Sequence, residues 1–208
     1  MYIELDYRED IYFISDSHYH HKNIVSGCSG WKDVSLCRKF KTLEEHDQYL
    51  IKLMNTAKED SIIFHLGDWS FGGIEYISEF RKQIRCQSIY LTYGNHDHYI
   101  KKNKENLQDL FTACSERIYL NVKGVAHLVL DHYPIVSWES MNKGWIHLHG
   151  HVHLQPKDKI HKGKSMDVGI DGLNKPQLYS LDEVCNLLKD NPIAVNTLPN
   201  DHHEEEVR

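Results

Sequence analysis

The chain has 208 residues, of which 40% are hydrophobic and 26% charged, and its formal net charge is −6. This length suffices for one domain with a full core and is short for two. No stretch reaches the roughly 18 apolar residues of a membrane helix, and the acidic N-terminus lacks signal-peptide features, so we expect a cytoplasmic protein. The acidic charge disfavours a basic nucleic-acid surface but leaves room for a local basic cleft.

The apolar periodicity predicts strands and helices that alternate in the first half of the chain, with strands dominating later. The order of these elements predicts a single α/β layered domain over 1–190, and a polar tail at 191–208 that we expect to be mobile. In chain order the predicted elements are a strand at 11–15, a helix at 42–58, a strand at 61–66, a helix at 73–84, a strand at 88–93, a helix at 101–111, a hairpin at 119–130, strands at 145–149 and 165–170, and a helix at 180–190.

Cysteine and histidine usage narrows the kinds of metal site to expect. The five cysteines are widely spread and form no CxxC pair, so neither a disulfide framework nor a thiolate zinc site is supported. Sixteen histidines is a high count, and most of them lie within or just after apolar segments. Because histidine is a common metal ligand and an acid–base group near neutral pH, this placement favours a histidine-based site.

Ligand-type residues follow five of the predicted strands, at the point where each strand ends. In α/β sheets the carboxyl ends of the strands converge on one edge, where ligands bind, so we expect these side chains to meet in space. The residues that follow the strands are Asp16-Ser17-His18, Gly67-Asp68, Gly94-Asn95-His96-Asp97, His132-Tyr133-Pro134 and Gly150-His151-Val152-His153.

The chemistry of these side chains indicates which ions they suit. Carboxylate, amide oxygen and imidazole ligands favour Mn, Fe or Zn over Ca or Mg. Seven candidate ligands are too many for one tetrahedral ion and fit two ions that share a bridging carboxylate. Two such ions can activate a bridging hydroxide and hold phosphoryl oxygens during an in-line displacement.

Each motif by itself also has an ordinary structural interpretation. "DSH" and "GD" are common in loops and turns, and a polar strand end accounts for "GHVH". "GNHD" is more specific, because its glycine permits a sharp exit from the strand and three different functional groups follow. The occurrence of all five motifs after separate strands favours one shared site.

Taken in order, the blocks "SDSH", "LGDW", "YGNHD", "DHYP" and "HGHVH" resemble the calcineurin-like metallophosphoesterase family over about residues 10–172. The segments "ISDSHYHHKNI" and "DVGIDGLNKPQLYSLDEV" resemble small bacterial and phage members, which consist of the catalytic domain alone. The resemblance implies two facing mixed β-sheets flanked by helices, with the active site at the sheet ends. It also implies two bound divalent ions (Mn, Fe or Zn), of which we favour Mn.

The resemblance further implies a role for each motif residue. His96 occupies the catalytic histidine position, bound to neither ion and close to the leaving oxygen. Asp97 is expected to orient the imidazole of His96. The implied ligands of one ion are Asp16, His18 and His153, those of the other are Asn95, His132 and His151, and Asp68 bridges both.

The first motif departs from the family pattern. Many small members read Asp-x-His-Phe-Gly-His, whereas His20 stands here in place of the glycine. His20 is therefore expected to narrow the entrance or add a substrate contact. His21 and Lys22 are candidate contacts to a substrate phosphate, with solvated loop residues as the alternative.

Other histidines and aromatic residues near the motifs have less specific interpretations. Trp69 and Phe71 form either an aromatic wall for a flat group or an apolar contact over the following helix, and we favour the apolar contact. Lys101, Lys102 and Lys104 are interpreted as a solvated helix face rather than a phosphate site. His65, His147 and His149 lie within strand runs and are expected to be core or supporting residues.

The function expected from these observations is hydrolysis of phosphoester bonds, with a metal-bridging hydroxide attacking phosphorus and His96 assisting the leaving group. A phosphodiesterase acting on a small or nucleotide-like phosphorylated substrate is favoured. The alternatives are a phosphomonoesterase, a protein phosphatase or a nuclease of the same family, and a catalytically silent metal-binding scaffold. No feature of the sequence indicates an oligomeric state.

Overall fold

The structure is a computed structural model that describes residues 1–155, 158–160, 163–171 and 177–193. The predicted tail at 191–208 lies almost wholly outside this part of the chain. No helix in the described residues is long and apolar enough to cross a membrane. The strands are β1 (Tyr2–Leu5), β2 (Ile11–Ile14), β3 (Ile62–His65), β4 (Ser88–Thr92), β5 (Ala113–Ser115), β6 (Arg117–Val122), β7 (Ala126–Asp131), β8 (Ile146–His149), β9 (Ser165–Asp167) and β10 (Tyr179–Ser180).

Four α-helices and three short 3-10 helices connect the strands. The side chain of Thr42 accepts a hydrogen bond from the backbone N–H of Glu45 at the start of the first α-helix, and a complete capping box at Ser180 starts the last. The α-helices are α1 (Leu43–Met54), α2 (Ile74–Lys82), α3 (His98–Lys101) and α4 (Leu181–Leu188), and the 3-10 helices are Lys22–Ile24, Lys104–Leu110 and Met141–Lys143.

The strands form two mixed sheets of five strands each. The first sheet has the order β1-β6-β7-β8-β9, in which only β6 and β7 are antiparallel. The second sheet has the order β10-β2-β3-β4-β5, in which β2 to β5 are parallel and β10 runs against β2. In the second sheet β2 to β5 therefore end on one edge, and in the first sheet β7, β8 and β9 do so.

The two sheets face each other across a buried apolar layer. Phe13 and Phe64 of the second sheet belong to one buried cluster with Leu128 and Leu148 of the first sheet. The next residue along β2, Ile14, belongs to a different cluster that includes residues of α1 and α2. This alternation follows from the two-residue period of a strand, and it places the second sheet between the first sheet and the helices. The predicted fold class is confirmed.

A pair of loop residues joins the two sheets at the edge where the parallel strands end. Ser15, directly after β2, forms an isolated parallel bridge with Gly169, two residues after β9. The backbone N–H of Ser15 donates to the carbonyl oxygen of Val168 at 3.2 Å. The loops that leave both sheets are thereby held against each other, and this contact positions the site.

The prediction of one continuous helix at 101–111 is wrong. Helix α3 ends at Lys101, and a distorted 3-10 segment starts at Lys104. Asn103, Glu105 and Asn106 have left-handed backbone conformations, with φ of 48°, 53° and 57°. Asparagine adopts this conformation more readily than most residues, so the two asparagines interrupt a helix that apolar spacing alone predicts.

Three short strands of the structure have no counterpart in the sequence prediction, namely β1, β5 and β10. Each lies at the edge of a sheet and has four residues or fewer. A run this short carries too little apolar periodicity to be distinguished from a loop. These segments are strands because each pairs with a neighbouring strand, and such pairing depends on the tertiary structure.

Candidate active site and metal centre

The predicted ligands converge at the shared edge of the two sheets. Each follows a strand that ends at this edge: β2, β3 and β4 in the second sheet, β7 and β8 in the first. Five of the predicted ligands have a left-handed backbone, which costs a non-glycine residue on the order of 1 kcal/mol or more and is concentrated at functional sites. These ligands, with their φ angles, are Asp16 (57°), His18 (48°), Asp68 (57°), His151 (72°) and His153 (49°).

The first ligand set consists of Asp16, His18 and His153. Nε2 of His18 lies 3.3 Å from Nε2 of His153. Oδ1 of Asp16 lies 3.9 Å from Nε2 of His18 and 3.8 Å from Nε2 of His153. The ligand atoms of Asp16 and His18 thus meet that of the distant residue His153, and the three form a group able to hold an ion.

The second ligand set consists of Asn95, His132 and His151. Oδ1 of Asn95 lies 3.1 Å from Nε2 of His132 and 3.0 Å from Nδ1 of His151. Nδ1 of His132 is 2.8 Å from the carbonyl oxygen of Leu66, a contact that places the ring proton on Nδ1 and turns the Nε2 lone pair toward the ligands.

Asp68 lies between the two sets. Its Oδ2 atom is 3.4 Å from Nε2 of His18 and 3.6 Å from Nε2 of His132. Its Oδ1 atom accepts a hydrogen bond of 2.9 Å from the backbone N–H of His96. A single carboxylate oxygen therefore reaches one imidazole from each ligand set.

The chemistry of the buried groups fits divalent cations. Asp16 and Asp68 are 0% and 1% exposed, and in the described part of the chain neither carboxylate pairs with a lysine or arginine side chain. Burial raises the pKa of Asp16 to about 6 and lowers the pKa of His18 well below its usual value. Buried carboxylates without a lysine or arginine partner, beside the neutral imidazole of His18, are suited to a metal ion.

Two motif positions must be glycine, because the carboxylates of Asp68 and Asp16 lie where a side chain would begin. A Cβ atom on Gly94 would lie 2.2 Å from Oδ1 of Asp68. A Cβ atom on Gly150 would lie 2.0 Å from Oγ of Ser15 and 2.2 Å from Oδ2 of Asp16. The glycines of "YGNHD" and "HGHVH" therefore leave the space that the ligand carboxylates occupy.

A comparison with protein families agrees with this arrangement. The model of the calcineurin-like phosphoesterase family matches residues 10–199. The chain belongs to the calcineurin-like phosphoesterase family. It is therefore a metallophosphoesterase, a metal-dependent hydrolase of phosphoester bonds.

A relative shares most of the length of this calcineurin-like phosphoesterase. The chain is 29% identical over 187 residues to the uncharacterized protein MJ1445 of Methanocaldococcus jannaschii, covering 86% of this chain and 91% of the relative. A comparison with solved structures found no match.

His96 lies beside both the first ligand set and Asp68 of the phosphoesterase. A ligand atom of its ring falls within 4.8 Å of ligand atoms of His18 and Asp68. Its ring centroid is 5.4 Å from that of His18, in an edge-on arrangement. The side chain is thus close enough to reach a group bound at the ligands.

Asp97 has other partners than the predicted one. Its Oδ2 atom accepts hydrogen bonds from the backbone N–H groups of Asp68 (2.7 Å) and Gly94 (2.8 Å), and its Oδ1 atom accepts one from Trp69 (3.0 Å). Burial and the neighbouring charge of Asp68 raise the pKa of Asp97 to about 6. The carboxylate is directed at the backbone that carries Asp68, not at the imidazole of His96, because the turn at 94–97 directs it into the protein.

Aromatic rings line the approach to His96. The ring of His21 stacks on Phe71 at 4.0 Å with 14° between the planes, and Phe71 presents an edge to His96 at 5.2 Å. Phe71 is 38% exposed, whereas Trp69 is fully buried and donates from Nε1 to the carbonyl oxygen of Ile77. The apolar contact favoured for both residues is therefore correct for Trp69 and wrong for Phe71, because the chain turns outward between them.

The other predicted contact residues lie nearby. His20 has φ of 62°, stacks on Tyr76 at 3.6 Å, and its Nδ1 is 3.3 Å from Oδ2 of Asp47. Lys22 is exposed at the start of the first 3-10 helix. His65, His147 and His149 are fully buried, as expected.

The lysines after "GNHD" have local partners. Lys101 forms an exposed ion pair with Glu116 at 2.6 Å. The ammonium of Lys104 lies over the ring of Tyr99, 4.6 Å from its centroid. Two of the three lysines are thus engaged on the protein itself, in line with a solvated surface.

Two supporting residues of the phosphoesterase site were missed by sequence reasoning, namely Asp171 and Arg38. Oδ2 of Asp171 lies 2.6 Å from Nδ1 of His153, and Arg38 binds both carboxylate oxygens of Asp171. Burial lowers the pKa of His153, but the hydrogen bond to Asp171 and the charges of Asp171 and Asp16 together outweigh burial and raise it. Asp171 lies in the "GIDG" segment that resembles small family members, which was a signal for it, whereas Arg38 lies in a loop without any motif.

Proposed function

We propose that this phosphoesterase is a two-metal phosphodiesterase that acts on a phosphorylated small molecule or nucleotide. Mn²⁺ is the proposed ion, because the ligands are carboxylate, amide oxygen and imidazole without thiolate. Asp16, His18 and His153 would hold one ion, and Asn95, His132 and His151 the other. Asp68 would bridge them.

The observation that carries the two-ion proposal is the position of a single atom. Oδ2 of Asp68 lies 3.4 Å from an imidazole nitrogen of one ligand set and 3.6 Å from an imidazole nitrogen of the other. A carboxylate shared in this way suits two ions at about 3.5–4 Å from each other, the separation typical of two-metal hydrolases. A single-ion site would leave one ligand set without a function.

When bound, two divalent ions supply an activated water as nucleophile and neutralise charge on the phosphoryl oxygens. The residues of the chain orient the carboxylate of Asp68 and supply a proton to the leaving oxygen. The backbone N–H of His96 holds Oδ1 of Asp68, which leaves Oδ2 facing the ligands. The imidazole of His96 lies beside this centre and is the proposed proton donor to the leaving oxygen.

The preference for a diester with a flat group rests on the rings at the approach. Phe71 is exposed, contacts His96 and stacks on His21, so it offers an aromatic surface close to the proposed leaving group. A nucleobase or an aryl group can stack on such a surface, which a phosphate group alone cannot do.

The first test compares two substrates on protein stripped with chelator and reloaded with Mn²⁺. We expect bis-p-nitrophenyl phosphate to be hydrolysed in preference to p-nitrophenyl phosphate, and chelator to abolish the activity. Preference for the monoester would identify a phosphatase instead. No turnover of either substrate with two Mn²⁺ bound would support the scaffold alternative.

A His96→Ala variant tests the role of the imidazole. We expect kcat to fall at least about 100-fold, as for loss of a general acid, while the protein still binds two Mn²⁺. Because a ring nitrogen of His96 lies close to His18 and Asp68, a loss of bound Mn²⁺ in this variant would show instead that His96 is a metal ligand.

A further inference from the structure

The guanidinium group of Arg38 is buried beside the metal centre with all its hydrogen-bond donors in use. The residue is 9% exposed. An arginine side chain has five N–H donors, and Arg38 meets five acceptors. These acceptors are Oδ1 and Oδ2 of Asp171, the carbonyl oxygens of Asp16 and Ser17, and Nε2 of His46. Because no donor remains, Arg38 is not equipped to bind a substrate phosphate.

One side of Arg38 controls the orientation of a metal ligand. Its Nε and Nη2 atoms each donate to one oxygen of Asp171 at 2.8 Å, a bidentate pair that fixes the plane of the carboxylate. Oδ2 of Asp171 is in turn 2.6 Å from Nδ1 of His153. This contact places the ring proton on Nδ1 and leaves the Nε2 lone pair of His153 directed at the first ligand set.

The same guanidinium group holds the backbone of the other two ligands of that set. Nη1 donates to the carbonyl oxygen of Ser17 at 2.6 Å, and Nη2 donates to that of Asp16. Asp16 and His18, on either side of Ser17, both have left-handed backbones. Hydrogen bonds from a buried cation to these carbonyls stabilise a turn that is unfavourable on its own.

A further chain of contacts leads from Arg38 toward the entrance. Nη1 is 2.9 Å from Nε2 of His46, and Nδ1 of His46 is 2.9 Å from Oδ1 of Asp47. Asp47 accepts a hydrogen bond of 2.9 Å from the backbone N–H of His20. The histidine that replaces the family glycine is therefore connected to the same guanidinium group.

The side chains of the second ligand set have partners other than Arg38 and Asp171. His132 is oriented by the carbonyl oxygen of Leu66, and Asn95 is the partner of Nδ1 of His151. None of the five acceptors of Arg38 belongs to this set. The two sets meet at the carboxylate of Asp16, which accepts hydrogen bonds of 3.1 and 3.0 Å from the backbone N–H of His151. Arg38 binds the carbonyl oxygen of Asp16 and not this carboxylate.

We infer that Arg38 is a positioning residue for one ion only, the ion held by Asp16, His18 and His153. This inference rests on the two-ion site of the proposed function. Loss of the bidentate pair to Asp171 is expected to weaken Mn²⁺ binding at the first set about 10–100-fold, the usual effect of removing a group that orients a ligand. Mn²⁺ binding at the second set is expected to remain as in the wild type.

The test measures Mn²⁺ binding by calorimetry in single-site backgrounds. His151→Ala removes a ligand of the second set, and His153→Ala removes one of the first. Arg38→Lys keeps the charge but not the bidentate geometry. In the His151→Ala background it should weaken Mn²⁺ binding at the first ligand set about 10–100-fold. It should change binding less than threefold in the His153→Ala background.

Arg81→Lys is the matched control. Arg81 donates to the carbonyl oxygens of Leu110, Ile84 and Gln87, so it also connects backbone segments through several hydrogen bonds, but it contacts none of the ligands. It should leave Mn²⁺ binding unchanged in both backgrounds. Thermal unfolding in chelator, compared between the two lysine variants, separates a general loss of stability from a change in the site.

Three results would overturn the inference. They are equal weakening in both backgrounds, unchanged binding in the His151→Ala background, and weakening by Arg81→Lys as large as by Arg38→Lys. If Arg38→Lys does not fold, Asp171→Asn, which keeps the shape of the side chain, decides by the same criteria.

Failure of the proposed function would look different from failure of this inference. Wild-type protein that binds two Mn²⁺ without hydrolysing either nitrophenyl ester contradicts the phosphodiesterase, while site-selective weakening by Arg38→Lys still supports the positioning role. Wild-type protein that binds a single Mn²⁺ contradicts the two-ion site and, with it, selectivity between two ions.

Discussion

Asp97 accepts a hydrogen bond of 2.7 Å from the backbone N–H of Asp68, so the residue next to His96 in sequence holds the backbone of the residue whose carboxylate lies between the two ligand sets. Two further N–H groups, of Trp69 and Gly94, bind the same side chain. The buried carboxylate thereby connects the loops that follow β3 and β4.

Replacement of Asp97 by alanine should destabilise the protein as a whole. Three N–H groups would lose their acceptor, at about 1–3 kcal/mol for each that remains buried and unsatisfied, so we expect the free energy of unfolding in chelator to fall by on the order of 3 kcal/mol or more. The free energy of unfolding of His96→Ala, measured in the same urea titration, should fall by less than about 1 kcal/mol. If Asp97 acts only by orienting His96, the two variants will instead have the same stability and lose activity together.

Asp68→Asn should weaken the binding of both ions, because the carboxylate of Asp68 is proposed to bridge them. His153→Ala is the comparison, since His153 groups only with Asp16 and His18 and its loss should weaken the binding of one ion. Mn²⁺ binding isotherms of the two variants distinguish these cases. Two ions bound by Asp68→Asn with unchanged affinity would contradict the bridging assignment.

Gly150→Ala should disrupt the first ligand set without altering any ligand. Its Cβ atom would lie 2.2 Å from Oδ2 of Asp16, so the carboxylate or the loop must move. We expect a loss of about 1–3 kcal/mol in the free energy of unfolding, and Mn²⁺ binding weakened at least tenfold. Gly30→Ala is the control, because the nearest atom to its Cβ is Oδ1 of Asn23 at 3.5 Å, an ordinary contact. Equal behaviour of the two variants would show that the close approach at Gly150 is easily relieved.

Phe71→Ala should raise KM for bis-p-nitrophenyl phosphate if the exposed ring contacts the substrate. Stacking of a base on an aromatic side chain contributes about 1–3 kcal/mol, so we expect kcat/KM to fall about tenfold, with Mn²⁺ binding unchanged. Phe71→Tyr retains the ring and should stay close to wild type. Wild-type kinetics in the alanine variant would argue against a substrate contact at this ring.

His65 should make the stability of the protein depend on pH. It is fully buried with Nε2 2.8 Å from Oγ of Ser17, and burial lowers its pKa to about 3. An unfolded chain has a histidine pKa of about 6.5, so between these values only the unfolded state binds the proton. Stability is therefore highest above about pH 6.5 and falls as the pH is lowered toward about 3, by up to about 1.4 kcal/mol per pH unit for this one proton.

The measurement for His65 is urea unfolding of metal-free protein at several pH values between about 7.5 and 4.5. The His65→Gln variant lacks this titrating group, so its curve of stability against pH should be less steep than that of the wild type. Parallel curves would mean that His65 is not held neutral in the folded state.

The sequence by itself determined the fold class and the candidate ligand residues of this phosphoesterase. Its apolar runs predicted the central strands, and the residues after those strands proved to be the ones that meet. The reason is that parallel strands end at one edge of a sheet, so that order along the chain translates directly into closeness in space. The chemistry of these residues and their positions after the strands were enough to predict that they meet.

Tertiary structure alone decided which side chains support the ligands. Arg38 lies in a loop without a motif, yet it contacts Asp171, 133 residues away in sequence. Asp97 lies beside His96 but binds the backbone at Asp68, and Phe71 faces the site whereas Trp69 enters the core. These differences depend on the direction in which each loop turns and on which distant backbone groups need a partner once buried, and neither is encoded in local spacing.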